Sequence, residues 1–321
     1  MRRDRGMSEA REHEPVMLER CGELVAWREG GRYLDATIGN GGHSKEFLRR
    51  AGEDALLVGL DLDVASLNRA RSLLRSAPGR WFLVQASFAR MDRTLRGVEG
   101  SFDGIFLDLG YSSAQLADAR RGLSYGADGP LDMRLTPSIG PPASELIRSL
   151  EAGELEELIR TLGEERNARR IARAIDQARE RDPIRTTGEL ASVISSVASS
   201  RFRIKTLSRV FQALRIRVNH ELEALESALP AAVRLLAPDG RLGVISFHSL
   251  EDRIVKRFMV LSAKECICPP DFPECRCEHR ASLRFVTRRA IQASGEEVKR
   301  NPRSRSARLR VAARLPDRRA A

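Results

Sequence analysis

The chain has 321 residues, enough for one large domain or a domain carrying an insertion, and its 42% hydrophobic content supplies a core, which excludes a disordered chain. No apolar run approaches the ~18 residues needed to cross a bilayer, and the N-terminal MRRDRGMSEAREHEP is charged without an apolar segment behind it, so no membrane partner and a cytoplasmic location are expected. The net charge of +11 is unevenly placed: residues 299 to 321 hold nine Lys or Arg against the single acid Asp317, which leaves either a polyanion-binding tail or a solvated basic terminus.

In chain order, GRYLDATI at 31 to 38 reads as a strand. The glycine turn Gly39-Asn40-Gly41-Gly42-His43-Ser44 follows, then a helix through Arg50 and a second strand, LLVGLDL, at 56 to 62. An apolar strand, a turn where the backbone can approach a ligand, and an acid ending the next strand describe a nucleoside pocket. A dinucleotide fingerprint requires a third glycine where Ser44 stands, which disfavours NAD, and no glycine loop leads into Gly-Lys-Ser/Thr, so a P-loop is absent. An acid before a glycine turn, Asp35 here, resembles the S-adenosylmethionine (SAM) pocket of Rossmann-like methyltransferases. That resemblance implies Asp35 facing the positive amino-acid end of the cofactor and Asp61 accepting hydrogen bonds from the ribose hydroxyls.

Helix ASLNRARSLLRSA and strands WFLVQAS and GIFLDLG continue the alternation, which predicts an α/β fold with a doubly wound, mostly parallel sheet. The fourth strand ends at Asp108, followed by Tyr111, Ser112, Ser113 and Gln115. In amino methyltransferases of this type an acid or amide at that strand end holds the target amine, so Asp108 is the first catalytic candidate; capping the next turn is its alternative role.

Beyond residue 116 only helical periodicity remains. Leu155, Leu158, Ile159 and Leu162 share a face, as do Ile171, Ala174, Ile175 and Ala178, and Leu190, Val193, Ile194 and Val197. Gly163 and Pro183 punctuate these helices, and Thr186 with Glu189 forms a capping box. An all-helical insertion over 117–205, with a role in substrate recognition, would divide a methyltransferase domain formed by 1–116 and 206–321.

A long helical stretch at 208 to 229 leads to a predicted turn, APDG, at 237 to 240 and a fifth strand, RLGVISF. LRFVT and ARLRVA are expected to pair as an antiparallel hairpin on the sheet edge, with Arg308, Arg310 and Arg314 on one face of the last strand. His248 follows the fifth strand and could face the same crevice as Asp108; a structural role is equally open. Phe247 and Tyr111 are candidate walls for a flipped base.

Cys266, Cys268, Cys275 and Cys277 form C-x-C-x6-C-x-C with His279 close behind. Such a cluster in a cytosolic chain favours metal or plain thiols over disulfides. A one-residue spacer is strained for tetrahedral chelation, so an unmetallated loop is expected and no metal ligand is assigned.

The segments HEPVM at 13 to 17, DATIGNGGHS, FLDLGYSSAQL, GLSYGADGPLDMR, GEERNARRIARAI, FQALRIRVNHEL, ISFHSLEDRIVKRF and NPRSRSARLR resemble, in order and across nearly the whole chain, the bacterial 16S ribosomal RNA cytosine-N4 methyltransferases. The resemblance implies a Rossmann-like fold carrying a helical insertion. It also implies methyl transfer from SAM to the exocyclic amine of a decoding-centre cytidine in the small ribosomal subunit. Matched residue by residue, SAM contacts fall on Gly41, Gly42, His43, Asp61, Phe88, Asp108 and Gln115; Tyr111, Ser112, Ser113, Phe247 and His248 are substrate candidates from their place near Asp108 and the fifth strand. Tyr111 stands where the family often has valine, and Leu123 and Tyr125 where it often has phenylalanine. A DNA amino methyltransferase would usually show an Asn/Ser/Asp-Pro-Pro-aromatic motif in place of Asp108-Leu109-Gly110-Tyr111, so RNA is the expected partner. A ribosome-binding assembly factor with a relic SAM pocket is the competing class.

Overall fold

A computed structural model describes residues 14–269, 272 and 274–316. His13 of the HEPVM segment, and Asp317, Arg318 and Arg319 of the basic tail, lie outside the described residues.

The chain opens with helix α1 (Leu18–Val25) and then alternates β1 (Arg32–Asp35), α2 (Gly42–Ala51), β2 (Leu56–Asp61), α3 (Val64–Leu74), β3 (Arg80–Gln85), α4 (Met91–Thr94) and β4 (Phe102–Asp108). β4 is apolar on both faces and buried through Leu107, as a strand covered by helices on both sides must be. A helical run follows: α5 (Ser113–Ala117), α6 (Ala143–Ser149), α7 (Ala152–Leu162), α8 (Ala168–Arg181), α9 (Thr187–Val197), α10 (Arg203–Asn219) and α11 (Glu221–Leu235). β5 (Leu236–Ser246), α12 (Ser249–Ser262), β6 (Leu283–Phe285), β7 (Ile291–Gln292), α13 (Gly295–Arg300) and β8 (Arg308–Arg314) complete the chain.

The strands lie in the order β3-β2-β1-β4-β5-β8-β6, with β7 also on β8. The first five are parallel neighbours. β8 is antiparallel to both β5 and β6. The last two apolar runs therefore pair, but not as a hairpin on the edge: β8 inserts between β5 and β6, and β7 and α13 intervene in sequence. The predicted turn at 237 to 240 is also absorbed into β5. Its register against β4 jumps from Phe102↔Leu236 to Gly104↔Arg241, and Asp239 sits at φ 63 within that irregularity.

Two hydrophobic clusters cover the faces of the sheet, one including α11 and α12, the other α1 and α2. A third cluster is helical. It gathers Leu155, Ile159, Ile171, Ile175, Leu190 and Ile194 with Leu207, Val210, Phe211 and Leu214 of α10. Burying each such side chain contributes about 1.5–3 kcal/mol. The sequence pattern ended this helical unit at residue 205, yet α10 supplies its core as far as Val218, and the break comes at His220, held at φ 51 between α10 and α11. The periodicity of α10 runs on into α11, so only this left-handed residue marks the end. The Thr186 capping box is formed: Glu189 N donates to Thr186 Oγ1, and Thr186 N to Glu189 Oε2.

Candidate active site

The C-terminal ends of β1, β2, β4 and β5 converge on one crevice, the place where doubly wound sheets bind ligands. Leaving β1, the chain turns so tightly that Gly41 caps α2 at φ 86, a left-handed conformation costly for any side chain. A Cβ there would lie 3.2 Å from Ala70 of α3, and one on Gly42 only 2.3 Å from Pro15 Cγ. Neighbouring chain already fills the space a side chain would take, so the turn offers its backbone to the crevice.

Asp35 is buried beneath this turn. Its carboxylate accepts from Ser44 Oγ at 2.7 Å and from Thr37 N at 3.3 Å. Burial pushes the carboxyl up to about 7, against the lowering effect of those two donors. Ser44, where a dinucleotide site would carry glycine, is thus the donor that secures this acid. Asp61 ends β2 and accepts from Gly39 N at 3.0 Å and Asp63 N at 2.8 Å, which leaves further lone pairs for a ligand. Burial raises its carboxyl as well.

Asp108 ends β4, its backbone N–H donating to Thr37 Oγ1 at 2.7 Å. The two carboxylate oxygens differ. Oδ2 lies 3.6 Å from His43 Nδ1, whereas Oδ1 is buried and has no hydrogen-bond partner among the described residues. Burial, followed by the nearby charges of Asp35 and Glu251, holds this carboxyl well above the usual range. His43 is itself buried; its ring packs on Phe106 at 4.8 Å between centroids. Nε2 faces the Val16 carbonyl at 2.9 Å, an acceptor only, so Nε2 carries hydrogen and Nδ1 is the ring nitrogen turned toward Asp108.

Gln115 is occupied within the protein. Its Oε1 accepts from Ser112 N at 2.9 Å, its backbone N donates to Ser112 Oγ at 3.2 Å, and its Nε2 donates to Asp63 Oδ2 at 3.4 Å. Ser112 and Gln115 thus form the capping box of α5. Ser113 is the first residue of that helix. Phe88 follows β3, half-buried against the sheet cluster that includes α11.

Tyr111 is less open than a base-stacking wall. Its hydroxyl donates to Glu221 Oε1 at 2.8 Å, and the Arg215 guanidinium lies 4.6 Å from its ring centroid while pairing with both Glu221 oxygens. His248 caps α12: Nδ1 accepts from Glu251 N at 3.4 Å, and Nε2 lies 3.2 Å from Glu251 Oε1, out of line for a hydrogen bond. Phe247 is half-buried beside Gly110, two residues past Asp108. With His248 it lines a cavity of about 410 Å³ whose rim includes Arg253, Lys256, Arg305 and Arg308.

Several participants were not legible as site residues. Asp63 binds Arg121 at 3.2 Å, Ser66 Oγ and the Ala65 amide; burial opposes its charge, but these partners hold its carboxyl below the ordinary range. Its signal was the second acid of Asp61-Leu62-Asp63. Asn219 accepts from Leu135 N and donates to Met133 O, both at 2.8 Å, which pins the GPLDMR loop where Met133 is held at φ 63. Arg201, Phe202, Arg203, Ile204 and Lys205 form an exposed basic and apolar run at the start of α10. The arginine face of β8 is partly committed: Arg310 is bidentate to Asp252 at 2.7 and 3.1 Å, with Arg308 3.5 Å from the same carboxylate.

A parallel five-strand core with an antiparallel strand inserted beside β5, and acids at three adjacent strand ends around a backbone-lined turn, define a Rossmann-like, SAM-dependent methyltransferase. The all-parallel dinucleotide order lacks that inserted strand. Within this class the chain belongs to the MraW methylase family, whose model matches residues 10–315. It is similar to the ribosomal RNA small subunit methyltransferase H of Thermomicrobium roseum, 49% identical over 305 residues that cover 94% of each chain. The protein of the same name from Heliobacterium modesticaldum is 45% identical over 94% of this chain and 98% of its own, and that from Trichlorobacter lovleyi 46% over the same shares. No helix among the described residues is long and apolar enough to cross a membrane.

Proposed function

We propose that this chain transfers a methyl group from SAM to the exocyclic N4 amine of a cytidine in the 16S RNA of the small ribosomal subunit, at the decoding centre. The carrying observation is the buried Asp108 Oδ1, without a hydrogen-bond partner among the described residues, in a carboxyl that feels the charges of Asp35 and Glu251 at the strand end. A buried acceptor left unmatched costs about 1–3 kcal/mol, more when charged, and a bound ligand that donates to it recovers that cost. The relatives' names supply the small-subunit RNA, and the sequence resemblance supplies the cytosine amine.

When bound, SAM supplies an electrophilic methyl on a sulfonium. Asp61 would hold the ribose hydroxyls, the backbone of Gly41 and Gly42 would lie along the amino-acid portion, and Asp35 would contribute negative charge from beneath the turn. Phe88 flanks the adenosine side, while His43 and Gln115 act by holding Asp108 and α5 in place. The Asp108 carboxyl accepts an N4–H of the target base, drawing the nitrogen lone pair out of conjugation and aligning it for attack. The bound cofactor would supply the carbon–sulfur bond that breaks as the N4–carbon bond forms, its electron pair going to sulfur. The proton leaves the methylated nitrogen afterwards, so no strong base is required. Phe247 bounds the base, and Ser112 and His248 shape the entrance, while Tyr111, held by Glu221 and Arg215, backs the wall from within.

The helical unit serves substrate recognition, with Phe202 and Ile204 among basic residues as its RNA-facing edge and the Lys256–Arg305 rim as a phosphate path. Labelled methyl transfer to small subunits, with the modified nucleotide mapped, tests the reading. A methylated N4 at one cytidine is expected; SAM binding without any RNA methylation would instead favour an assembly factor.

A further inference from the structure

We propose that Cys266, Cys268, Cys275 and Cys277 bind one zinc ion that staples the connection between α12 and β6. All four Sγ atoms lie within 4.8 Å of one another, with Cys266–Cys277 at 3.7 Å and Cys275–Cys277 at 3.6 Å. A tetrahedron built on zinc–sulfur bonds of ~2.3 Å has edges of about 3.8 Å. The sulfurs therefore already stand near the corners of a single-ion site. Four thiolates are a soft ligand set that selects zinc or iron–sulfur centres, and spacings this short leave room for one ion and not for a cluster.

The backbone is arranged for thiolates as well. Ile267 N donates to Cys277 Sγ, Cys268 N to Cys266 Sγ and Arg276 N to Cys268 Sγ, each at 3.4 Å. Such N–H donors stabilise sulfur-borne charge around a metal. The objection that a one-residue spacer is strained applies when a Cys-x-Cys pair must close around the ion from one segment. Here the pairs face each other across the loop, as the short Cys266–Cys277 contact shows, and each segment supplies only one side of the tetrahedron.

The location argues for a structural role. Ser282 N donates to Ser262 O at 2.8 Å, closing the neck of the loop, and the 14 residues of α12 carry it about 21 Å from His248 and the crevice. With four protein ligands no coordination position is left for substrate, the pattern of a structural zinc. The metal would fix how β6 meets β8 and leave methyl transfer to the other end of the sheet.

The full-length protein, purified without added metal and passed over a weak chelator, is expected to retain about one zinc per chain by elemental analysis. Exchange with cobalt(II) should give sulfur-to-cobalt charge-transfer absorption and the intense visible bands of a tetrahedral site. The double variant Cys268→Ser, Cys275→Ser should lose both the metal and those bands and melt at lower temperature. A wild-type chain that is metal-free with its loop thiols freely alkylated, or that carries loop disulfides by mass, overturns the proposal. Should the double variant fail to fold, the wild-type metal content and cobalt spectrum decide alone.

Discussion

Asp108 presents its two oxygens to different surroundings, and the variants at this residue separate binding from chemistry. Asp108→Ala is expected to abolish methyl transfer while leaving SAM affinity within roughly tenfold, because binding also draws on Asp61 and the turn backbone. Asp61→Ala should cost cofactor binding first, by ~1–3 kcal/mol from lost charge-assisted bonds, read by calorimetry. Full turnover in Asp108→Ala would remove the orienting role. Asp35 makes a pH prediction with a definite sign. Its folded-state carboxyl titrates at about 7 against ~3.9 unfolded, so the native state binds the extra proton and the stability it contributes is lost as pH rises from about 4 to 7. Urea denaturation of the unliganded protein should show this decline, and Asp35→Asn should flatten it; an unchanged slope would place the proton elsewhere. At this scale the sequence was most readable where an acid ends an apolar strand, as at Asp35, Asp61 and Asp108. Asp63 and Arg215 escaped notice because their partners lie 58 and 6 residues away, whereas Glu251 had the readable capping-box spacing from His248 that Glu189 has from Thr186.

Among the elements, the strands leading to the site were legible because each is a short apolar run closed by glycine or an acid, and the helices because their buried residues repeat at helical spacing. What remained hidden was pairing. Arg308, Arg310 and Arg314 alternate plainly, yet nothing in ARLRVAAR says that the strand lies between β5 and β6 with Arg310 spent on Asp252. Likewise, RIRVNHEL runs on with helical periodicity through the break at His220, whose turn is set by tertiary contacts. Asn219, just before that break, joins α10 to the 129–135 loop by two hydrogen bonds, one of them buried. Asn219→Ala should therefore destabilise the fold by about 1–3 kcal/mol in chemical denaturation, as expected for partners left unmatched. A change within a few tenths would show the loop to be held by other contacts.

For the molecule as a whole, charge and fold are entangled in the C-terminal region. Truncation after Val298 would delete β8 and with it the partner of β5, so loss of RNA binding in such a chain would report misfolding. Exposed positions on the cavity rim give a cleaner test. Lys256→Gln with Arg305→Gln should weaken binding to small subunits and lower the salt dependence, log K against log salt, by about 0.7–0.9 for each phosphate contact removed. An unaltered slope would take RNA away from this rim.

The insertion of β8 between β5 and β6 also bears on biogenesis. A nascent chain made as far as Phe285 possesses β5 and β6 but lacks the strand that joins them, so the strand carrying Ile245 opposite Asp108 has an open edge until residues 308 to 314 are made. Catalytic competence should arise only after residues 308 to 314 emerge, so the site matures well after the strands that carry its acids are made.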